Sequence, residues 1–258
     1  MIRPSVCITG AAKRIGAVIA TAFGEAGWHV VIHYGSSASE AEELAANLPS
    51  AETVHCDLAD TDGAVAMVRR LAERLDDWRC LVNCAAIFRD DAADGLDRTV
   101  FDRSMAINAR TPARMAQAYL NHARAADGRR VIQVTDQKLA NPNPDFFSYT
   151  MSKHALHATI AMLADNTACR GSDRVYGLAP GAILASHDQT EAETETSHVM
   201  NLLERKTDAA EIADAMLFLA AGHLASGETL YIDSGQHLLD QPRDVIYLAR
   251  EKLAKEGA

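Results

Sequence analysis

The sequence predicts an α/β fold, a doubly wound parallel sheet with helices on both faces, making three layers. Three observations predict it. Short apolar runs alternate with longer segments of helical period along most of the chain. A Gly-rich turn stands between the first strand and the first helix. No internal repeat, linker or low-complexity tract interrupts the pattern, so residues 1–258 read as one domain.

The elements follow in order. Ser5–Thr9 is a brief strand, and after Gly10 a helix runs from about Arg14 to Ala26, ended by Gly27. His29–Tyr34 is the second strand, and Ser39–Asn47 a helix stopped near Pro49. Thr53–Cys56 is a third short strand, followed by a helix over Thr61–Leu75 with Asp60 or Thr61 as its cap. Cys80–Asn83 is the fourth strand, and a long helix covers roughly Phe101–Arg124. Val131–Thr135 is the fifth strand, Ser148–Ala168 a helix, and Val175–Leu178 the sixth strand. Ala209–Ala221 is helical and Thr229–Asp233 is the last strand. Past it, residues 241–258 form a C-terminal extension. Val245, Ile246, Leu248, Ala249 and Leu253 recur there at helical spacing, within Arg243–Lys255. That segment either reaches across to a subunit partner or covers the sheet edge. Ser186–His198 is densely polar, with His187, Asp188, Glu191, Glu193, Glu195 and His198. It is expected to be a mobile loop or lid, its glutamates solvated.

Composition narrows the class. Apolar residues make up 48% and charged residues 23%, an ordinary globular balance with enough material for a sizeable core. The net charge of −10 argues against nonspecific nucleic-acid binding and against anionic membranes. Cys7, Cys56, Cys80, Cys84 and Cys169 are scattered without a Cys-x-x-Cys pair, so neither a zinc framework nor a disulfide ladder is expected. Cys84 is expected to pack rather than react. The ten histidines lack a matched ligand geometry, and no metal site is expected. The N-terminus has no signal-peptide apolar region, and no run of 18 apolar residues occurs. A cytoplasmic location follows as the expectation.

Two stretches carry chemistry. Tyr149 and Lys153 stand four apart at the start of a helix, on one face. An ammonium close to a phenol stabilises the phenolate and lowers its pKa from about 10, which suits general acid work near neutrality. The spacing alone is common in helices, so the pair takes its meaning from the rest of the chain. The turn Thr9-Gly10-Ala11-Ala12-Lys13-Arg14-Ile15-Gly16 is a candidate phosphate cradle, with backbone N–H groups and a helix N-terminus aimed at an anion. Otherwise it is a plain tight turn. The second strand ends His33-Tyr34-Gly35-Ser36-Ser37, without the acid that would hold a ribose hydroxyl. Arg14 with Ser36 and Ser37 suits a 2′-phosphate, so NADPH is expected over NADH. The alternative for Arg14 is a solvated helix-start residue.

Five stretches then fall in order: Thr9-Gly10 through Gly16, Cys56-Asp57-Leu58, Asn83-Cys84-Ala85-Ala86, Asn108, and Tyr149 with Lys153. In this the chain resembles the short-chain dehydrogenase/reductase family over roughly residues 5–240. The resemblance implies a Rossmann-type, seven-stranded parallel sheet. It implies that Asp57 and Leu58 touch adenine, that Asn83 and Ala85 belong to the cofactor region with Asn83 stabilising the central strand, and that Pro180 and Gly181 line the nicotinamide. It implies that Asn108 anchors a water leading to Lys153, and that Lys153 holds the nicotinamide ribose. Family members are often tetramers, so a homo-oligomer, tetramer or dimer, is implied.

Two departures are informative. Arg14 stands where the family usually has a third glycine, and Asp136, in Val134-Thr135-Asp136, where it usually has a serine. Pteridine reductases and bacterial dihydromonapterin reductases resemble this chain at those departures and at Phe88, whose counterpart stacks on a pterin opposite the nicotinamide. A carboxylate would repel the alkoxide of a carbonyl reduction, whereas reduction of a pterin C=N bond needs a proton at ring nitrogen. The expectation is an NADPH-dependent reductase of a dihydropterin or dihydrofolate, with Asp136, Tyr149, Lys153 and Asn108 catalytic, and Phe88, Asp136 and Tyr149 at the substrate. A carbonyl or 3-oxoacyl thioester reductase of the same fold is the alternative, and an idle NADPH-binding regulator a third. Asp136 is otherwise a cap or turn residue, and Phe88 a loop-packing aromatic.

Overall fold

Each central strand is apolar on both faces, and the structure uses both. In the computed structural model, which describes residues 3–166, 168–169, 171–186 and 188–256, seven strands form one parallel sheet. They are β1 (Ser5–Ile8), β2 (His29–Tyr34), β3 (Ala51–His55), β4 (Trp78–Asn83), β5 (Arg130–Val134), β6 (Arg174–Pro180) and β7 (Thr229–Ile232). Their order is β3-β2-β1-β4-β5-β6-β7. The period-two alternation of a strand divides the core in two. Cys7, Val31, Leu81, Val131 and Val175 point to one side, where they meet α3 (Thr61–Arg74), α5 (Thr111–His122) and α6 (Phe147–Ala164). Val6, Ile8, Val30, Ile32, Val82, Ile132 and Leu178 point to the other, against α1 (Arg14–Glu25) and α8 (Ala209–Ala221). The sheet and its helices make a single α/β domain of the expected class.

Strand order reverses at β1, whose neighbours are β2 and β4. In such sheets a crevice opens beyond the carboxyl ends at that point, and both candidate stretches lie there. Capping follows the chemistry of the termini. Asp60 accepts from Gly63 N–H at the start of α3, and Asp208 and Glu211 form a capping box on α8.

The structure corrects four expectations along the chain. The long helix is three pieces: α4 (Arg98–Ser104), a π-helical turn (Met105–Arg110) and α5. Asn108 sits in the π turn and spends its amide on the backbone of Ile87 and on Ser152. The helix carrying Tyr149 ends at Ala164, not Ala168; Thr167 lies outside the described residues. The polar run 186–198 is not a plain loop. It contains α7 (Glu191–Ser197), closed by a capping box between Thr190 and Glu193, while His187 lies outside the described residues. Its glutamates are not simply solvated, since Glu193 binds Arg250 at 2.9 Å and Glu195 pairs with Lys206. α2 (Ala38–Asn47) follows the serines after β2, and α9 (Val245–Glu256) follows the last strand. α9 packs on α7 rather than along the sheet edge.

Candidate active site

The turn after β1 is built by three contacts. Thr9 Oγ1 accepts the N–H groups of Cys84 and Ala85 at 2.9 and 3.1 Å, which joins the ends of β1 and β4. Gly10 has φ +65°, and a Cβ there would lie 3.0 Å from Ala85 Cα. A Cβ on Gly16 would lie 2.3 Å from Gly10 O, so the helix start can approach the turn only as glycine. Beneath the turn, buried His33 accepts from Gly10 N–H through Nδ1 at 3.2 Å and donates through Nε2 to Cys56 O at 3.0 Å. These partners set its neutral tautomer, and burial pulls its pKa down to about 4. His33 is thus a brace between the turn and the end of β3 as well as a wall residue.

A cavity of about 590 Å³ opens on the β2 side of the turn, lined by Gly10, Lys13, His33, Tyr34, Ser36, Ser37, Asp57 and Leu58, with Ala85. A second, of about 370 Å³, lies over β4 and β5 and is lined by Gly10, Arg14, Ile15, Gly16, Ala85, Phe88, Asp136, Tyr149, Lys153, Pro180 and Gly181. Gly10, Lys13 and Ala85 border both. The pair of cavities accommodates an elongated ligand bent across the turn. The missing Cβ atoms at Gly10 and Gly16 let the turn pack closely under the start of α1, which brings the N-terminus of that helix to the border of both cavities.

Arg14 does not join Ser36 and Ser37. Its backbone has φ +56°, and its guanidinium donates to the carbonyls of Leu184 and Ala185 at 3.3 and 2.8 Å, on the other side of the turn. The cation beside the two serines is Lys13, which also pairs with Glu40. Asn83 lines neither cavity. It is buried, and donates to Gln133 Oε1 at 2.9 Å and Pro112 O at 3.3 Å, bracing β4 against β5 and α5.

At the end of β5, Asp136 does two things at once. Oδ1 accepts from Lys138 N–H at 2.9 Å and caps a 3₁₀ turn (Gln137–Leu139); Oδ2 accepts the Tyr149 hydroxyl at 2.7 Å. Lys153 does not reach the phenol oxygen. Its ammonium donates to Val134 O at 2.8 Å and lies 5.6 Å from the Tyr149 ring centroid. The expected downward shift of Tyr149 is therefore reversed. Burial, reinforced by the Asp136 carboxylate, raises the phenol well above the ordinary tyrosine value. Burial also raises Asp136 and lowers Lys153, whose drop Asp136 opposes. The folded chain holds Tyr149 as a protonated donor.

Phe88 lies over this centre. It stacks on Phe146 with centroids 3.9 Å apart and meets the Tyr149 ring edge-on at 4.7 Å. Next to it a smaller cavity of about 200 Å³ is lined by Phe88, Asp136, Lys138, Gln189, His198, Asp244 and Ile246, among others. Several of these lay outside the sequence reading. Lys138 and Asp244 form a buried ion pair at 2.7 Å. Asp145 receives both Arg243 Nε and the Asp244 N–H. Tyr247 donates to Asp90, and Arg250 binds Glu193 and Asp188. The start of the C-terminal helix thus forms one wall of this smaller cavity. The polar Asp136-Gln137-Lys138 run and the paired Phe146-Phe147 at the helix start were the available signals.

Comparison with known proteins agrees with this geometry. The family model described as enoyl-(acyl carrier protein) reductase matches residues 10–237. Pteridine reductase 1 of Leishmania tarentolae is 29% identical, covering 91% of this chain and 96% of that protein. The 3-oxoacyl-[acyl-carrier-protein] reductase FabG of Staphylococcus aureus is 25% identical, with 91% and 98% covered. The crystal structure of FolM alternative dihydrofolate reductase 1 from Brucella canis, complexed with NADP, superposes with a TM-score of 0.86 at 30% identity, covering 94% of this chain and 97% of that one. Matched by that family model over most of its length and superposing on a relative of 30% identity over 94% of it, the chain belongs to the short-chain dehydrogenase/reductase family.

Proposed function

We propose that this oxidoreductase uses NADPH to reduce the C=N bond of a 7,8-dihydropterin, free or as dihydrofolate, to the tetrahydro form. The observation that carries the reading is the 2.7 Å hydrogen bond from Tyr149 to Asp136 at a position facing Phe88. The overall change is dihydropterin + NADPH + H⁺ → tetrahydropterin + NADP⁺.

The residues fit the cofactor. The Gly10–Gly16 turn, which borders both cavities at the start of α1, takes the diphosphate; Asp57 and Leu58 border the adenosine cavity, and Lys13, Ser36 and Ser37 take the 2′-phosphate. Bound in the second cavity, NADPH supplies the hydride. Lys153, which lines the same cavity as Cys84, Tyr149 and Pro180, holds the nicotinamide ribose. Phe88 gives one face of the substrate slot. Tyr149, held in its acid form, delivers the proton, and Asp136 relays it: the phenol's proton leaves towards ring nitrogen and is replaced through the carboxylate. Asp136 also accepts a hydrogen bond from an amino group of the pterin. A carbonyl reduction would set a developing alkoxide against the same carboxylate, which is unfavourable.

The likeness to the S. aureus 3-oxoacyl reductase supports the second reading, a carbonyl or 3-oxoacyl thioester reductase. NADPH oxidation measured in parallel with 7,8-dihydrobiopterin and an acetoacetyl thioester separates the two. Faster turnover of the thioester overturns the pterin assignment.

A further inference from the structure

Helix α6 carries both Tyr149 and Lys153 but does not cap its own N-terminus. Phe146 occupies the N-cap position with a left-handed backbone (φ +53°, ψ +50°) and no side-chain acceptor. The first helical donors would be orphans in a buried place. They are satisfied from the segment after β4. The N–H of Phe147 donates to Asp91 O at 3.2 Å, and the N–H of Ser148 to Asp91 Oδ1 at 2.9 Å. Ser148 Oγ donates to the other carboxylate oxygen, Oδ2. Asp91 and Ser148 are both buried. Beyond them the two segments stay together, with a bridge between Ala92 and Asp145 and a 3.1 Å bond from Ala93 N–H to Pro144 O.

We propose that Asp91 is a positioning residue for Tyr149. A carboxylate at a helix N-terminus meets both the free N–H groups and the positive end of the dipole. Here it grips the residue immediately before the proton donor by backbone and side chain together. That double grip sets the height and rotation of the first turn of α6, and so the place of the phenol above Asp136. Asp91 lies three residues after Phe88, on the same segment, and Phe88 meets the Tyr149 ring edge-on. One residue therefore holds proton donor and stacking face in register. An error near 1 Å in such a constellation lowers turnover by about 10²-fold. The inference rests on Tyr149 as the proton donor, and not on which substrate is reduced.

The test is a steady-state comparison of Asp91→Ala, Asp91→Asn and Ser148→Ala. Wild-type turnover is measured first with 7,8-dihydrobiopterin and with acetoacetyl thioester. Failure of the pterin alone overturns the substrate assignment, and the series is then read with the thioester. Failure of both moves the series to a simple ketone, and a protein that oxidises NADPH with none of the three overturns the role of Tyr149 and this proposal with it. Asp91→Ala is expected to lower kcat roughly 10- to 100-fold while NADPH affinity stays within about twofold. Asp91→Asn should recover most of the loss, because an amide oxygen still accepts from Ser148 N–H. Ser148→Ala keeps the backbone contact and should fall between. If Asp91→Ala does not fold, the proposal stands on Ser148→Ala, where an unchanged kcat overturns it. A kcat of Asp91→Ala within about twofold of wild type, or losses shared equally by NADPH affinity with no recovery in Asp91→Asn, also overturns it.

Discussion

The Tyr149 hydroxyl donates to Asp136 Oδ2 at 2.7 Å, while Lys153, one helical turn on, gives its ammonium to Val134 O. The phenol is thereby kept as an acid by a carboxylate and by burial, with the lysine one step removed.

Removing the phenol oxygen removes the donor and little else. Tyr149→Phe should lower kcat by about 10²- to 10⁴-fold with NADPH affinity nearly unchanged. Single-turnover NADPH oxidation beside a binding titration checks this, and a variant with normal turnover contradicts the assignment.

The proposed pterin reduction makes Asp136 the residue that selects substrate class. Asp136→Ser should depress dihydropterin turnover by about 10²-fold and improve any turnover of acetoacetyl thioester, since the carboxylate no longer opposes an alkoxide. Parallel kcat/KM values for the two substrates report it. Equal loss on both would leave Asp136 as a turn cap only.

Arg14 and Lys13 should separate cleanly. Lys13→Ala should raise KM for NADPH about 10-fold, near the worth of one charge-assisted hydrogen bond, and leave NADH use alone. Arg14→Ala should keep the NADPH/NADH preference, because its guanidinium is committed to Leu184 and Ala185. A preference that collapses in Arg14→Ala restores that residue to the phosphate.

His33 makes stability depend on pH. Its folded pKa is about 4, against an ordinary 6.5. Between those values the unfolded chain binds a proton that the folded chain refuses. The stabilisation is therefore complete above pH 6.5 and is lost as pH falls towards 4, by roughly 3 kcal/mol at most. Unfolding followed from pH 7 to 4.5 should show this slope in the wild type and a shallower one in His33→Asn.

The Lys138–Asp244 pair is buried on both sides. Asp244→Ala should destabilise by roughly 3 kcal/mol, because the buried ammonium loses its ion-pair partner and keeps only the oxygens of Asn143 and Asp145. Lys138→Met with Asp244→Leu should recover most of it. Thermal unfolding of the single and double variants decides the matter.

Much of this was legible because its causes are local. Apolar strands sandwiched between helices announce a two-sided parallel sheet, and glycines at Gly10 and Gly16 announce a close approach. His29–Tyr34 and Ala209–Ala221 end where their terminators stand in the sequence. What was not legible depended on contacts far apart in the chain. The direction of Arg14 follows from a left-handed backbone and from carbonyls some 170 positions later. The sign of the Tyr149 shift follows from burial and from the side-chain direction of Asp136, neither of which spacing reveals. The helix within 186–198 depends on a capping box, Thr190 with Glu193, that its run of acids conceals, and on Arg250 from α9.

The C-terminal helix is fastened at its rim as well as through its buried start. Arg243 to Asp145, and Arg250 to Glu193 and Asp188, are partly exposed pairs, as is Lys13 to Glu40 beside the glycine turn, whereas the Lys138–Asp244 pair, the backbone bonds of the turn and the apolar sheet are buried. Mobile ions weaken the first kind of fastening within a Debye length of about 8 Å at physiological strength and hardly touch the second. Ionic strength is consequently a lever on the outer fastenings of both halves of the cleft, while the buried ones hold.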